Sequence, residues 1–579
     1  MTAHGETIAG RASGWSVSRL LSGQHWLFAA HVAVILFLCV LILYPVAILI
    51  GMSFHDDNGA WSLANYISAY TTVRNGQAIL NTVLIAVGTA LCSVMVGTFM
   101  AWAVVRTDMP GRRMIELASV IPFISSPLIG ALAWILLASP NTGLINQAWQ
   151  FFAGEPLIDI YSVWAIVFVE TLYEAPVVFL LVAGALRTMN PTLEEASLSA
   201  GAGIAKTTLR VTLPLVTPSI LAGAMLVFIL AAEQFGVPAL LGSPAKIRVL
   251  TTSIWEAQAT SPSDDGLAAA LGTNLLVIAL VALWLHKKLL GARSYVTVSG
   301  KSAHPRRIEL GLMRWVTFAL CAAYLLLAVI LPVGTIFVSS IRTLWTPEFH
   351  WNQFTLVHYY EVLFDYQPAQ RAIVNSLFIA VVGATVTILL CAFIAFLSLR
   401  VRLPGAKFLD TLTMIPLGFP GIVLAVGLLH AWINPPIVLY GTIWILFVAY
   451  MTRYLPLGVR SVSATLAQIH PELEESSQSS GANWFKTFWH VTLPLLRPGI
   501  FAGWALLFVA FTRELSASIL LFSPNQEVLS VVIFDMYGEG NFRQLSALTT
   551  LQILIAVVVL VIAKRVSNVD EAEEAQVLR

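Results

Sequence analysis

The feature that most constrains this chain is a succession of apolar runs too long for the interior of a globular domain. A bilayer core of about 30 Å is crossed by roughly 20 apolar residues in helical form. Twelve such runs lie near 26–51, 78–105, 114–138, 162–187, 213–241, 267–287, 313–340, 374–399, 408–432, 439–461, 493–522 and 544–564. In hydrocarbon each backbone polar group must be satisfied within the protein, so the runs are read as helices. Composition agrees: 58% of residues are hydrophobic, 11% are charged, and mean hydropathy is +0.81. Soluble domains carry roughly 25% charged residues, and no soluble fold of 579 residues hides this much apolar surface. The fold class is therefore all-α transmembrane. The net charge of +1 points to no nucleic-acid or acidic partner; the implied surroundings are membrane lipid. The four cysteines, Cys39, Cys92, Cys321 and Cys391, sit inside apolar runs without metal-ligand spacing and read as small apolar residues.

The first 25 residues are polar and small, and the run from Trp26 to Gly51 exceeds the roughly 7–15 residues of a cleavable signal. It is expected to remain as the first span. With the N-terminus placed in the cytoplasm, 24 of the 32 Lys and Arg residues fall on cytoplasmic segments and six on outer ones, while Arg453 and Arg513 fall inside spans. That bias predicts both termini inside.

The chain is written twice. Pro191 to Gly223 reads PTLEEASLSAGAGIAKTTLRVTLPLVTPSILAG, and Pro471 to Gly503 reads PELEESSQSSGANWFKTFWHVTLPLLRPGIFAG, with 19 of 33 positions identical at an offset of 280. Upstream the offset is near 294: Asn81 matches Asn375, Arg106 matches Arg400, and Ile121-Pro122 matches Ile415-Pro416. Each copy thus has six spans in the same orientation, a parallel repeat. The expected organisation is a first unit 1–287, a cytoplasmic linker 288–312, a second unit 313–566 and a cytoplasmic tail 567–579.

The repeated segment, about 190–214 and 470–494, lies between the fourth and fifth spans of its unit. Pro191 and Pro471 suit a helix first turn. Glu194-Glu195 and Glu474-Glu475 complement the positive end of that helix. Gly201 and Gly481 can reverse the chain with φ > 0. Lys206 and Lys486 follow on a second helical stretch that ends at Leu213-Pro214 and Leu493-Pro494.

Glu195-Ala196-Ser197, Gly201 and Val211-Thr212-Leu213-Pro214 resemble the EAA loop of binding-protein-dependent ABC import permeases. Glu475-Ser476-Ser477, Gly481 and Val491-Thr492-Leu493-Pro494 repeat its spacing, with Ser at Ala positions of the pattern. The resemblance covers roughly 60–565 and implies two parallel six-helix type I permease units. It further implies loops that seat in an ATPase, two copies of that ATPase, and a periplasmic or extracellular solute-binding protein. The implied location is a bacterial inner membrane. The stretches Glu233–Gly242 and Glu514–Leu521 resemble the fused branch that includes ferric-iron permeases. Related permeases carry thiamine, aminoethylphosphonate or polyamines. The sequence holds no GxxxxGK[ST] phosphate loop, so no cofactor is expected on this chain, ATP and Mg belong to the partner, and the chain is not itself an enzyme. No catalytic or resident metal residue is assigned.

Charges inside spans are costly and usually functional. Here they are Glu170, Glu174, Glu233, Arg453, Arg513 and Glu514, in repeat-matched places on the fourth and fifth spans. Two readings stand: they line a translocation path, or they pair across the halves, with Arg513 and Glu233 as one such pair. They also leave open an ion-coupled secondary transporter, against which the doubled loop argues. The outer groups His55-Asp56-Asp57 and His358-Tyr359-Tyr360-Glu361 read as surface helix residues rather than iron ligands.

Overall fold

A computed structural model describes residues 25–56, 59–119, 121–190, 192–291, 307–343, 345, 353–401 and 403–577. Pro191, Asp57, the first 24 residues, most of the expected linker and the end of the tail lie outside the described residues, as do Arg11, Arg19, Arg293, Lys301, Arg306, Arg402 and Arg579.

Fourteen helices place everything that follows. In the first copy they are α1 (Leu27–Ser53), α2 (Val73–Arg106), α3 (Pro127–Ala138), α4 (Val163–Thr188), α5 (Thr192–Ser199), α6 (Ile204–Ala232) and α7 (Asp265–Lys288). In the second they are α8 (Met313–Ser340), α9 (Gln367–Leu399), α10 (Gly421–Ala431), α11 (Ile443–Leu466), α12 (Glu472–Ser479), α13 (Arg497–Thr512) and α14 (Phe542–Ala563). The two sets correspond one to one in order.

The twelve expected spans are not all single straight helices. Among the described residues eight helices are long and apolar enough to cross a bilayer, and ten if each of two bent pairs counts as one. The third span of each copy is broken. In the second copy Ala406–Gly418 meets α10 at a 108° bend, where Pro416 and Pro420 supply no N–H to continue the ladder. In the first copy the equivalent stretch is split into Arg112–Ala118, Ile121–Ile124 and α3, and the Ser126 hydroxyl caps α3 by accepting from the Leu128 amide. Trp484–Leu495 meets α13 at 73°, beside Pro498. The 24-residue α11 is long enough to cross but is made less apolar by Arg453 and Arg460.

Several spans widen for one π-helical turn; α9 does so at Ile379–Gly383 with no counterpart in α2, and two of the turns recur at matched places in both copies, Cys39–Leu43 with Leu326–Ile330 and Thr208–Thr212 with Phe488–Thr492. Each of these matched turns precedes a proline, respectively Pro45, Pro332, Pro214 and Pro494. A proline ring collides with the carbonyl four residues back, and the wider turn removes the collision without ending the helix.

Within each copy the second and fourth spans pack along their length, α2 on α4 and α9 on α11. The residue sizes at the crossing are inverted between copies. A Cβ on Gly97 of α2 would lie 2.8 Å from the Val178 Cβ and 2.7 Å from the Ala175 carbonyl, whereas a Cβ on Gly458 of α11 would lie 2.6 Å from the Cys391 sulfur. Position for position, Gly97 faces Val178 in one copy and Cys391 faces Gly458 in the other. On the side away from the repeated loops the Asn81 amide donates to Arg248 O at 2.9 Å and the Asn375 amide to Glu527 O at 3.0 Å. The Leu250 amide donates to the Thr82 hydroxyl and the Leu529 amide to the Ser376 hydroxyl, both at 2.8 Å.

The halves interlock through their broken third spans: α3 packs on α8, and α10 packs on α1 and α7. A Cβ on Gly427 of α10 would come 2.6 Å from the Pro45 carbonyl of α1. The Tyr324 hydroxyl of α8 donates to Leu172 O at 2.8 Å.

The size inversion makes a prediction. Gly458→Val overfills the α9–α11 crossing and costs about 1–3 kcal/mol, seen as a lowered melting temperature of the purified chain. Adding Cys391→Gly recreates the Gly97–Val178 arrangement and should recover most of that loss. A single variant that melts like the parent, or a pair no better than the single, contradicts the packing.

Candidate functional site

The predicted site residues separate into two places: the repeated loop and a charged cluster at the depth of the spans.

In the loop, α5 and α12 begin just after α4 and α11 end, and the chain reverses at Gly201 and Gly481. Their φ values are +83° and +92°, a region L side chains rarely adopt. The Ser197 and Thr207 hydroxyls then join across the turn at 2.9 Å, as do Ser477 and Thr487 at 3.1 Å. Glu195, Ala196, Gly201, Lys206, Glu475, Ser476, Gly481 and Lys486 are all exposed, Pro214 also; Leu213, Leu493 and Pro494 are half-buried where the chain re-enters the spans.

Glu194 and Glu474 differ from their neighbours. Both are buried, and both are held by their own unit. Glu194 accepts from the Thr212 hydroxyl at 2.6 Å and lies 3.4 Å from the fully buried Arg106 at the end of α2. Glu474 accepts from Thr492 at 3.0 Å and from Arg400 at 3.3 Å. Arg400 donates further to Leu466 O at 2.9 Å and Ile469 O at 2.5 Å, the last carbonyls of α11 and the turn beyond. These two glutamates therefore fasten the loop to the spans, while Glu195 and Glu475 face outward. Leu193 and Leu473, 46% and 49% exposed, give the outward face an apolar element. Sequence reading did not assign these leucines or the two arginines to the loop, although repeat identity of Arg106 with Arg400 and of Leu193 with Leu473 was the available signal.

The second place joins the halves. Arg453, near the midpoint of α11, donates to Glu233 of the first copy at 3.0 Å and to Glu514 of its own copy at 3.1 Å. Glu514 also accepts from the Tyr454 hydroxyl and from the Ala517 amide, the latter at 2.9 Å. Room for the guanidinium exists because α10 has glycine beneath it: a Cβ on Gly421 would lie 1.3 Å from the Arg453 Nη1. The first copy has Tyr173 where the second has Arg453, and Gly130 of α3 makes the matching space, a Cβ there falling 2.1 Å from the Tyr173 ring.

The cross-half partner of Glu233 is thus Arg453, not the Arg513 expected from sequence. Arg513 follows α13 and reaches over to the first copy's broken third span, donating to Ser125 O at 3.5 Å, and it lies within electrostatic reach of Glu174. Glu170 accepts from Thr89 at 3.0 Å and sits one turn from Glu174 on α4. All six predicted intramembrane charges belong to this neighbourhood, four carboxylates to two guanidiniums.

The outer histidines are occupied by local bonds. His55 Nδ1 sits 2.7 Å from Gly51 O and its ring lies on Trp61. His358 sits 3.3 Å from Glu361 and 3.2 Å from Arg342 O. The Gln544 amide, 2.9 Å from Glu361, holds that carboxyl below its ordinary range.

The sequence model described as "Binding-protein-dependent transport system inner membrane component" matches residues 93–291 and again 384–568. A ferric transport system permease protein of Actinobacillus pleuropneumoniae is 26% identical over 94% of this chain and 78% of its own length. A putative 2-aminoethylphosphonate transport system permease protein of Salmonella typhimurium is 30% identical over 41% of this chain and 89% of its own. Among solved structures, a chain of a bacterial ABC transporter involved in alginate import aligns with a TM-score of 0.42 at 20% identity, over 48% of this chain and 98% of that one.

Removing one partner from a buried charge network costs about 3–5 kcal/mol. Arg453→Met alone should therefore sharply lower the melting temperature, and combining it with Glu233→Gln and Glu514→Gln should recover a large part. Equal stability of the single variant and the parent would show that the network does not hold the halves.

Proposed function

The chain belongs to the family of binding-protein-dependent transport system inner membrane components, and from that premise we propose that it is the fused two-unit permease of an importer for ferric iron, driven by ATP hydrolysis on two copies of a separate subunit. It is a multi-pass membrane protein and a permease of the ABC import type. The cargo reading is supported by similarity to a ferric transport permease across 94% of this chain, whereas the 2-aminoethylphosphonate relative covers 41%. Ferric iron as cargo suits a path with more carboxylates than guanidiniums, since a hard cation prefers oxygen ligands.

In the proposed cycle the outward faces of α5 and α12, with Glu195, Glu475, Leu193 and Leu473, seat in the two ATPase subunits. Both loops and both termini lie in the cytoplasm, and a solute-binding protein delivers cargo on the opposite side. ATP binding brings the ATPase subunits together and moves the loops. The movement rocks the halves, so that Arg453 releases Glu233 in one state and recovers it in the other. ATP and Mg stay on the partner, and the division into units at 1–287 and 313–566 follows the copies. Thiamine, aminoethylphosphonate and polyamine remain the alternative cargoes.

Two measurements test this reading. Gly201→Val with Gly481→Val forces β-branched residues into left-handed backbone, at about 1–2 kcal/mol each. It should abolish co-purification of the ATPase and lower uptake more than tenfold while the chain remains in the membrane; undiminished uptake contradicts the coupling role. In proteoliposomes holding the permease, its ATPase and its binding protein, ferric iron should stimulate ATP hydrolysis and 2-aminoethylphosphonate should not; the reverse result assigns the other cargo.

A further inference from the structure

The two copies diverge where the repeated loop re-enters the membrane. In the second copy Trp484 and Phe488 pack on Phe393 and Phe396 of α9, with ring centroids 5.1–6.3 Å apart. The same positions of the first copy are Ile204, Thr208, Phe99 and Trp102. Phe99 matches Phe393 and Trp102 is larger than Phe396, but Ile204 and Thr208 are smaller than Trp484 and Phe488, and beside them lies a cavity of about 790 Å³ between α2, the start of α6 and the start of α8, within the roughly 300–1,000 Å³ of ligand sites. Its lining is almost wholly apolar. Met95, Leu209, Met313 and Leu320 on its edge are 70%, 65%, 59% and 55% exposed, and helices long and apolar enough to span are expected to turn such a face to lipid.

The loop-side end of this groove is basic. Backbone pairing holds the segment before α8 against the end of α2: Ile308 N donates to Arg106 O at 2.8 Å and Leu310 N to the Asp108 carboxylate at 3.0 Å. That pairing brings Arg307 within repelling range of Arg112, which Arg113 also repels. Glu116, which attracts Arg112, is itself bonded to Arg187 at 2.5 Å. Lys206 and Arg210 each follow directly on a lining residue, Ala205 and Leu209. An apolar slot open to the bilayer with clustered like charges at one end has the polarity of an anionic lipid, head to tail.

We propose that this groove is a binding site for an anionic phospholipid. One acyl chain fills the space that aromatic rings fill in the second copy, and the phosphate lies at the Arg112–Arg307 end. The lipid would thereby brace the first copy's loop against α2 and α8, a support the second copy builds from its own side chains.

The test is lipid retention by the full-length purified chain, measured by native mass spectrometry with dioleoylphosphatidylglycerol and dioleoylphosphatidylcholine. The parent should retain one phosphatidylglycerol and not phosphatidylcholine. Arg112→Gln with Arg307→Gln, on exposed or half-exposed segments, should weaken that retention roughly 30-fold. Thr208→Phe with Leu209→Trp installs the second copy's residues and should abolish it with the melting temperature maintained. Equal retention of the two lipids by the parent overturns the proposal. So does phosphatidylglycerol retention unchanged by the arginine pair of substitutions, which decides the matter even if the filled variant folds poorly.

Discussion

A guanidinium at the depth of a membrane span is costly unless it is paired, and the arrangement of the two halves follows from how Arg453 is satisfied. Its two carboxylates come from different copies, Glu233 at 3.0 Å and Glu514 at 3.1 Å. Both carboxylates stand where the fifth spans end, so α6 and α13 must stop at this depth rather than run on. The guanidinium also needs a third helix without a side chain beneath it, which is why α10 begins on Gly421. The broken third spans are therefore part of the same solution: α3 and α10 are short, each packs on the opposite copy, and each leaves room over a glycine for the residue at position 173 or 453. A buried pair of this kind contributes little net stability compared with an apolar replacement. What the pair does supply is a specific register between the halves, since each Arg453 bond has one geometry and one partner copy.

The duplication explains both what the copies share and where they differ. Contacts that fix the backbone of the loop recur in both: the positive φ at Gly201 and Gly481, the hydroxyl pair across the turn, and a buried glutamate meeting a threonine and an arginine. Contacts that merely fill volume have drifted in compensating ways. Gly97 with Val178 and Cys391 with Gly458 occupy the same crossing with the bulk moved from one helix to the other. The cavity beside Thr208, filled in the second copy by Phe488, is drift without compensation inside the chain.

Most of the fold was legible because its signals are local. Apolar runs give spans, and two matched segments give the repeat. The breaks were harder to read: Ile121-Pro122 and Ile415-Pro416 were visible, but proline is tolerated within other spans here, at Pro176 and Pro456, and only packing against the opposite half distinguishes a kink from a break. Six intramembrane charges could be named, yet their pairing could not, since α11 places Arg453 beside Glu233 by a rotation that repeat alignment does not encode. Sequence grouped Glu194 with Glu195 as adjacent acids on one helix. Neighbours on a helix point about 100° apart, and the structure uses the difference, turning one glutamate in to Arg106 and the other out.

That division gives the loop its mechanical purchase. Arg400 binds Glu474 of α12 and, at the same time, the carbonyls of Leu466 and Ile469 at the end of α11. The loop is thereby fastened to α9 and α11 together and does not hang from a flexible joint. Arg453 lies 13 residues up α11 from Leu466, about 20 Å along a continuous helix. α11 thus links α12 to the Arg453–Glu233 contact, while Glu233 belongs to the other copy and stands directly after α6. The contact that joins the halves therefore stands on the same helix that anchors the second loop.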